Sequence, residues 1–266
     1  MTVRLSDTDI ATYREKGWLV PDFRLPDDLI AEMREEYDAL LARNTHIASD
    51  IMLAPHQTNG GSQGVIGSEK WFEFATHPAL MDIAGQLIGD DIILWGTTIF
   101  GKPAHSGKET PWHQDGGYYP IRPLETLTIW IPLDDVTPEN GPMRFIPGSH
   151  KPHELFSHSW IGGDDKTINL VTDQDHFDPN VSEDLIIEAG QVSFHDVYMI
   201  HGSSANRTNH RRAAFIVRLM PATSLYDHAL GAEIGQKHPA QGYGTRPLYL
   251  VRGKDRHGGN NFEIGH

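Results

Sequence analysis

The stretch Leu127-Thr-Ile-Trp-Ile-Pro-Leu133 alternates aliphatic residues with residues of other types at a period of two. This alternation is typical of a β-strand, because successive side chains of a strand point to opposite faces. The sequence leaves open which face of the strand, the aliphatic one or that of Thr128 and Trp130, lines the interior. Three later segments share the strand character: Leu185–Glu188, Gln191–Val197 and Ala213–Met220. Asn140-Gly141 is a hairpin turn signal.

Residues 1–90 have helical patterns instead. Ser6 followed by Asp9 resembles a capping box, and Gly17 stands where a helix would end. Pro26 starts a second helix, and Pro78 opens a third that ends near Gly89. The apolar residues of the second helix keep helical spacing: Leu29, Met33, Tyr37, Leu40 and Leu41.

This order of elements predicts a mainly β fold with a helical N-terminal part. Many short strands behind a helical lead favour a jelly roll, that is, a cupin-like double-stranded β-helix flanked by α-helices. No repeat or linker divides the chain, so we expect one domain over residues 1–266. Within it we expect a helical lead at 1–90, the core at about 91–220 and an irregular segment at 221–266.

Composition excludes several classes of protein. The formal charge of -14 argues against binding to nucleic acid or to anionic membranes, which attract basic surfaces. There are no cysteines, which excludes disulfides, thiolate metal sites and a Cys nucleophile. The N-terminus has no apolar signal sequence, and no apolar run approaches the ~20 residues needed to cross a bilayer. We therefore expect a soluble cytoplasmic protein with a small-molecule substrate.

The motif His113-Gln114-Asp115 predicts a metal site. On a strand His113 and Asp115 point the same way, and a histidine from a distant strand would complete two imidazoles and one carboxylate. That set leaves one face of an octahedral metal open, as in non-heme Fe(II) oxygenases. From the residues alone the second histidine could be one of three: His195, His201 or His210.

A basic run after these histidines could bind a carboxylate, since a guanidinium holds one two-pronged. Arg212, eleven residues after His201, competes for this role with three other arginines: Arg207, Arg211 and Arg218. Arg211 would face the other way from Arg212 on a strand, so we expect it in solvent.

At these motifs the chain resembles the phytanoyl-CoA dioxygenase family of 2-oxoglutarate-dependent oxygenases, over most of residues 8–220. The resembling segments are Tyr13–Asp22, Thr110–Pro120, Leu127–Asp135, Asn140–His150 and Gly190–Arg212. The resemblance implies iron held by His113, Asp115 and His201, with Arg212 and Ser203 on one carboxylate of 2-oxoglutarate. It also implies that Lys102 and Trp130 lie around this co-substrate; the alternatives are a surface position for Lys102 and core packing for Trp130. His150 matches a segment that supplies no ligand.

The same resemblance implies an enzyme that uses Fe(II), 2-oxoglutarate and O2 to hydroxylate a C–H bond, releasing succinate and CO2. A halogenating relative would need a small residue in place of Asp115, and this chain keeps the carboxylate. Alternatives are an acyl-CoA or natural-product hydroxylase, and more remotely a non-catalytic metal-binding or sensor protein. A zinc hydrolase would leave Arg212 without a role.

For the substrate we expect a small polar molecule, anionic or zwitterionic, such as an amino acid or an ectoine-like or phosphonate-like compound. Arg212 and Arg218 share a strand face, so Arg218 can point inward as a second cation, unless it pairs with an acidic neighbour. Gly116-Gly117-Tyr118-Tyr119 offers hydroxyls and open backbone, and His195 is either a pocket or a core residue. Two segments, 52–68 and 228–266, are expected to be surface loops, the first of them a mobile flap. The basic residues near the end are expected in solvent: Arg246, Arg252, Lys254 and Arg256.

Overall fold

The computed structural model describes residues 2–61, 63–163 and 165–266. In this part of the chain the α-helices are α1 (Asp7–Lys16), α2 (Asp27–Arg43), α3 (Glu69–Ala75), α4 (Pro78–Ile88) and α5 (His228–Lys237). The strands up to the middle of the chain are β1 (Trp18–Leu19), β2 (Ile51–Leu53), β3 (Ile92–Lys102), β4 (Thr110–His113), β5 (Ile121–Arg122), β6 (Leu127–Pro132) and β7 (Met143–Phe145). The later strands are β8 (His158–Trp160), β9 (Leu170–Thr172), β10 (Glu183–Leu185), β11 (Ser193–Asp196), β12 (His201–Ser203), β13 (Arg212–Pro221), β14 (Leu225–Tyr226) and β15 (Tyr249–Arg252).

The first helix begins and ends where the sequence predicts. The Ser6 hydroxyl accepts a hydrogen bond from the Asp9 backbone N–H at 3.1 Å, and the Asp9 carboxylate accepts from the Ser6 N–H at 2.9 Å. Gly17 ends the helix with φ 84°, a left-handed conformation that glycine adopts without strain. The helices expected after Pro26 and from Pro78 are present as α2 and α4.

Two antiparallel sheets form the core of the molecule. The major sheet has the order β1-β11-β6-β13-β3-β15, with β2 also paired to β3. The minor sheet has the order β10-β7-β12-β4. This pair of sheets with helices on its outer side confirms the predicted jelly-roll class, and residues 91–220 form most of it.

Strand β6 shows which face of the major sheet lines the interior. Its aliphatic residues Leu127, Ile129 and Ile131 pack in the same core cluster as the N-terminal helices. Thr128 and Trp130 point the opposite way, into the space between the two sheets. The functional side chains therefore lie on the face of the strand that is not aliphatic.

The Asn140-Gly141 turn does not join a hairpin, and this expectation was wrong. The turn itself forms, since Asn140 donates to the Asp135 carbonyl at 2.8 Å and Gly141 has φ 78°. However, β6 before it belongs to the major sheet and β7 after it to the minor sheet. Local turn chemistry bends the chain without specifying which strands will pair.

The segment from residue 221 onward is more regular than expected. It contains the ten-residue helix α5 and the strand β15, which adds to the edge of the major sheet beside β3. The expectation of an irregular segment was wrong for α5 and β15. Strand β15 was not predictable because it is defined by pairing with β3, which lies far away in the sequence. No helix in the described ranges is long and apolar enough to cross a membrane.

Residues 52–68 are held at both ends. Met52 and Val65 are buried in the main core. Asn44, at the end of α2, donates to the Ile66 carbonyl at 3.0 Å and accepts from the Ile66 N–H at 2.7 Å. The mobility predicted for this segment from its four glycines stays a prediction. Ser62, within the segment, lies outside the described residues.

Candidate active site

His113, Asp115 and His201 come together between the sheets. His113 ends β4 and is the direct register partner of His201, which begins β12. Asp115 follows on a short 3-10 helix, Asp115–Tyr118. The Asp115 Oδ1 atom lies 3.5 Å from Nε2 of His113 and 3.9 Å from Nε2 of His201. All three potential ligand atoms lie within 4.8 Å of one another.

The hydrogen bonds of the two imidazoles fix their orientation. Nδ1 of His113 lies 2.8 Å from the Pro111 carbonyl, and Nδ1 of His201 lies 3.0 Å from the Met199 carbonyl. A carbonyl only accepts, so Nδ1 carries the proton and Nε2 presents a lone pair toward Asp115. Two imidazoles and one carboxylate in this arrangement fit a non-heme iron ion.

The electrostatics of the group suit ligation. Burial lowers the pKa of His201 well below its ordinary value, so its imidazole is neutral. Burial alone would raise the pKa of Asp115, but the imidazoles of His113 and His195 outweigh it and hold that pKa well below its ordinary value. Neutral histidine and ionised aspartate are the forms that bind metal.

Two further side chains flank the second carboxylate oxygen of Asp115. The Thr128 hydroxyl donates to Oδ2 at 3.0 Å, and Nε2 of His195 lies 3.6 Å from it. His195 is buried, and within the described chain neither of its ring nitrogens has a hydrogen-bond partner. Thr128 was not among the predicted site residues. It lies two positions before Trp130 on β6, so the period of two places both side chains on one face.

An inner cavity of about 530 Å³ extends from the metal group and brings together the residues expected around 2-oxoglutarate: Lys102, Trp130, Ser203 and Arg212. Arg212 is 2% exposed, lies 5.5 Å from the Trp130 ring centre and donates to the Gly141 carbonyl at 2.5 Å. Its Nε–H is buried without an acceptor within the described chain. A buried donor of this kind is costly unless a ligand supplies the acceptor.

The two basic side chains of the inner cavity, Arg212 and Lys102, differ in charge at neutral pH. Burial lowers the pKa of Arg212 to about 10, so its guanidinium stays protonated at neutral pH. Burial, with the neighbouring Arg212 second, lowers the pKa of Lys102 to about 6. The Lys102 amine, Nζ, donates to the Lys108 carbonyl, and the residue is 3% exposed, so Lys102 lies in the pocket and not at the surface.

Arg211 lies on the opposite side of the sheet from Arg212. Its side chain is 34% exposed, pairs with Asp38 and Asp134 and stacks over Tyr37 at 5.1 Å. The strand register is therefore the one expected, with Arg212 inward and Arg211 outward.

An outer cavity of about 390 Å³ lies on the other side of the metal group and shares His113, Asp115, Phe100 and Arg218 with the inner one. Tyr118, Tyr243 and Arg246 also line it. Arg218 donates to the Tyr119 hydroxyl at 2.8 Å and to Thr98 Oγ1 at 2.6 Å. Among the described residues no carboxylate lies within salt-bridge distance of Arg218. Burial would lower the pKa of Arg218, but Tyr119 and then Asp115 of the metal group raise it, so its acidic neighbour is the predicted metal ligand.

Other expectations need correction here. Gly116 does not offer open backbone, because a Cβ added to it would lie 2.7 Å from Cδ2 of Leu124. Arg246 is not in solvent with its basic neighbours but stacks over Trp95 and Tyr243 at 5.7 and 4.7 Å. The expectation for His150 needs no correction: it is not part of the metal group, and its Nε2 lies 3.0 Å from the Arg14 carbonyl.

Comparison with known proteins identifies the family of the chain. The family model described as phytanoyl-CoA dioxygenase (PhyH) matches residues 13–214. The chain belongs to the phytanoyl-CoA dioxygenase family. This membership confirms the predicted enzyme class, a 2-oxoglutarate-dependent dioxygenase with iron and O2, and the His-Asp-His group suits the iron.

Two relatives show the range of this similarity. Rat peroxisomal phytanoyl-CoA dioxygenase is 29% identical over 222 residues, which are 76% of this chain and 64% of the rat protein. The ectoine dioxygenase of Sphingopyxis alaskensis is 25% identical over 236 residues, 80% of this chain and 75% of the relative.

A solved structure shares the fold. The apo non-heme monooxygenase ThoJ superposes with a TM-score of 0.72 at 24% identity, covering 95% of this chain and 86% of that one. At this identity the similarity supports the jelly-roll assignment alone.

Proposed function

We propose that this protein hydroxylates a C–H bond of a small polar substrate, anionic or zwitterionic, with Fe(II), 2-oxoglutarate and O2. The observation that carries the proposal is the position of the His113, Asp115 and His201 group between two cavities. Each cavity contains an inward arginine without a carboxylate partner in the described chain, Arg212 in the inner one and Arg218 at the outer one. Such cations favour a dicarboxylate on one side of the metal and an anionic group on the other.

The residues divide the work as follows. His113, Asp115 and His201 would hold the iron, and Thr128 keeps the Asp115 carboxylate in orientation. Arg212 would bind the far carboxylate of 2-oxoglutarate, with Ser203, Trp130 and Lys102 around it. The chemistry supplied by the bound iron and co-substrate is O2-dependent C–H oxidation with release of succinate and CO2.

On the substrate side, Arg218 and Tyr118 would position the molecule, and His195 stays a candidate for a contact near Asp115. The burial of the metal group keeps bulk water from the reacting atoms. Asp115 fills the position that halogenation would need vacated, which supports hydroxylation.

An acyl-CoA substrate, as the name of the rat relative suggests for that protein, has less support. Of the basic side chains near the end of the chain, Arg252 is paired with Asp82 and Asp90, and Arg256 with Asp91. Arg246 is turned inward over Trp95 and Tyr243, so these side chains do not form a free basic cluster for the CoA phosphates. The ectoine dioxygenase relative is consistent with a small zwitterion.

The test begins without oxygen. Adding Fe(II) and 2-oxoglutarate anaerobically should produce the weak visible absorbance of an iron-chelated keto acid. Air admitted together with a panel of small zwitterionic and anionic substrates should then convert 2-oxoglutarate to succinate and CO2, with the second oxygen atom of O2 passing to the substrate. Asp115→Ala should abolish both signals, because two imidazoles alone bind iron poorly. His210→Ala, which changes an exposed histidine nearby, should keep both. Wild-type absorbance and turnover in the Asp115→Ala protein would falsify the metal assignment.

A further inference from the structure

Arg246 occupies an unusual position for a charged residue near the end of the chain. Its guanidinium stacks over the rings of Trp95 and Tyr243 and donates to the Gln241 carbonyl. Among the described residues no carboxylate forms an ion pair with it, whereas Arg252 and Arg256 on the same segment each pair with aspartate. The stacking fixes the direction of the Arg246 head group without neutralising its charge.

The register of the major sheet brings Arg246 to the same side as Arg218. Arg218 on β13 lies directly opposite Gly96 on β3, and directly opposite residues in an antiparallel pair project to one face. A Cβ added to Gly96 would lie 2.9 Å from Nη1 of Arg246. Because Gly96 has no side chain, the Arg246 head group fits over the strand next to Arg218.

Both guanidinium groups line the outer cavity, which reaches His113 and Asp115. Asp115 is assigned to the metal, so the cavity holds two cations with no carboxylate of the described chain to balance them. Tyr118, Trp95 and Tyr243 supply aromatic walls. Two forked donors beside aromatic rings suit a carboxylate or phosphonate carried on a small organic body.

We propose that Arg246 and Arg218 form a two-arginine clamp for the anionic group of the substrate, so that the segment after α5 selects the substrate class. The inference rests on the proposed function and deepens it. It places the anionic group of the substrate in the outer cavity, while the far carboxylate of 2-oxoglutarate lies on Arg212 in the inner cavity. Arg246 is then a specificity-determining residue.

The experiment measures binding with the inner cavity already filled. Protein saturated with Fe(II) and 2-oxoglutarate is titrated anaerobically in a calorimeter with L-proline, ectoine and phenylphosphonate, and with L-prolinamide, the ectoine amide and the phenylphosphonate diester as counterparts without the anionic charge. The same compounds are then tested in air for stimulation of 2-oxoglutarate consumption. The proteins are the wild type, Arg246→Gln, Gly96→Ala and, as the control, Arg256→Gln, whose side chain is 68% exposed.

We expect at least one of the three compounds that carry an anionic group to bind and to stimulate turnover. Its counterpart without that group should bind much more weakly. Arg246→Gln should weaken the binding of that compound by about 10- to 100-fold, the range for a lost charge-assisted hydrogen bond. Gly96→Ala should weaken it as well, since the added methyl displaces the Arg246 head group while the arginine remains. Arg256→Gln should bind like the wild type.

Three results would overturn the clamp: no anionic compound binds, the counterparts bind equally well, or Arg246→Gln and Gly96→Ala both match Arg256→Gln. The proposed function fails separately. If the wild type shows neither keto-acid absorbance nor 2-oxoglutarate consumption, the enzyme assignment is wrong. If it shows both but the affinity for the tested compounds does not depend on Arg246, only the clamp is wrong.

Discussion

Adjacent residues in this protein have opposite roles, and the strand geometry explains why. Arg211 and Arg212 differ by one position, and β13 turns one to solvent and the other to the inner cavity. Arg211 is neutralised by Asp38 and Asp134, whereas the hydrogen bond that Arg212 makes within the described residues is to a backbone carbonyl, which has no net charge. The charge of Arg212 therefore remains available to an anion.

Arg212→Lys should raise the apparent Kd for 2-oxoglutarate. Lysine keeps the charge but loses the planar fork, and the loss should be about 1.5–3 kcal/mol, or roughly 10- to 100-fold. The anaerobic absorbance titration measures it. Arg211→Lys is the matched control and should change little; if Arg211→Lys proves the more sensitive variant, the assignment of Arg212 to the co-substrate is wrong.

Thr128→Val should lower the affinity for Fe(II) by about 10-fold or more, because supporting contacts to a metal ligand typically contribute that much. The hydroxyl that orients Asp115 is lost, while the shape of the side chain is nearly kept. Competition with a coloured chelator measures the affinity.

The control for this change is Thr126→Val, two residues earlier in the chain. The Thr126 hydroxyl is buried and has no hydrogen-bond partner in the described structure, so its removal should leave iron affinity unchanged. Equal affinities for all three proteins would show that Asp115 needs no support from Thr128.

At the scale of elements, side chains at the ends of helices and strands fix the segments around the core. Asn44 joins the end of α2 to residues 52–68 through hydrogen bonds to Leu40 and to both backbone groups of Ile66. It is fully buried. This single amide holds the glycine-containing segment against the helical layer.

Asn44→Ala should lower the free energy of unfolding by about 1–3 kcal/mol, since it removes a buried hydrogen bond to the Leu40 carbonyl and two part-buried ones to Ile66. Urea denaturation followed by circular dichroism gives the value. Asn59→Ala, in the same segment, changes an exposed side chain that accepts a hydrogen bond from the Gly61 N–H, and it should stay near the wild type. A loss below about 0.5 kcal/mol for Asn44→Ala would mean that the segment is not held by this residue.

Features that depend on neighbouring residues were predictable from the sequence, and the pairing of strands that are distant in the sequence was not. The period of two on β6 and the capping box of α1 depend on neighbouring residues, so both could be predicted. At Asn140-Gly141 the chain passes from the major sheet to the minor sheet, and this depends on pairing with strands elsewhere in the chain. For the site, the His113–Asp115 spacing was informative, but Arg246 was not predictable, because only the tertiary fold brings it over Gly96.

At the scale of the whole molecule, the site joins the two sheets. His113 and His201 belong to the minor sheet, and Trp130 and Arg212 to the major sheet. Iron and 2-oxoglutarate bound together would link residues of both sheets. Ligand that binds only the folded state adds to its stability by mass action.

Anaerobic Fe(II) with 2-oxoglutarate at about 100 times Kd should therefore add about 2.7 kcal/mol of stability. For a chain of this size that corresponds to a rise in Tm of roughly 5–10 °C. Differential scanning fluorimetry in sealed plates measures it. His201→Ala should show no comparable rise, and a rise of the same size in that variant would indicate that the ligands stabilise some other part of the protein.

The pairing of β3 with β13 also has a consequence for biosynthesis. Strand β3 is almost wholly buried and begins with the apolar run Ile92–Trp95, and its long partner is translated about a hundred residues later. At about 5–20 residues per second, the nascent chain carries this strand unpaired for roughly 5–20 s. An exposed apolar strand is prone to aggregation, so yield in a heterologous host should depend on chaperone capacity and growth temperature more than on the thermodynamic stability of the finished enzyme.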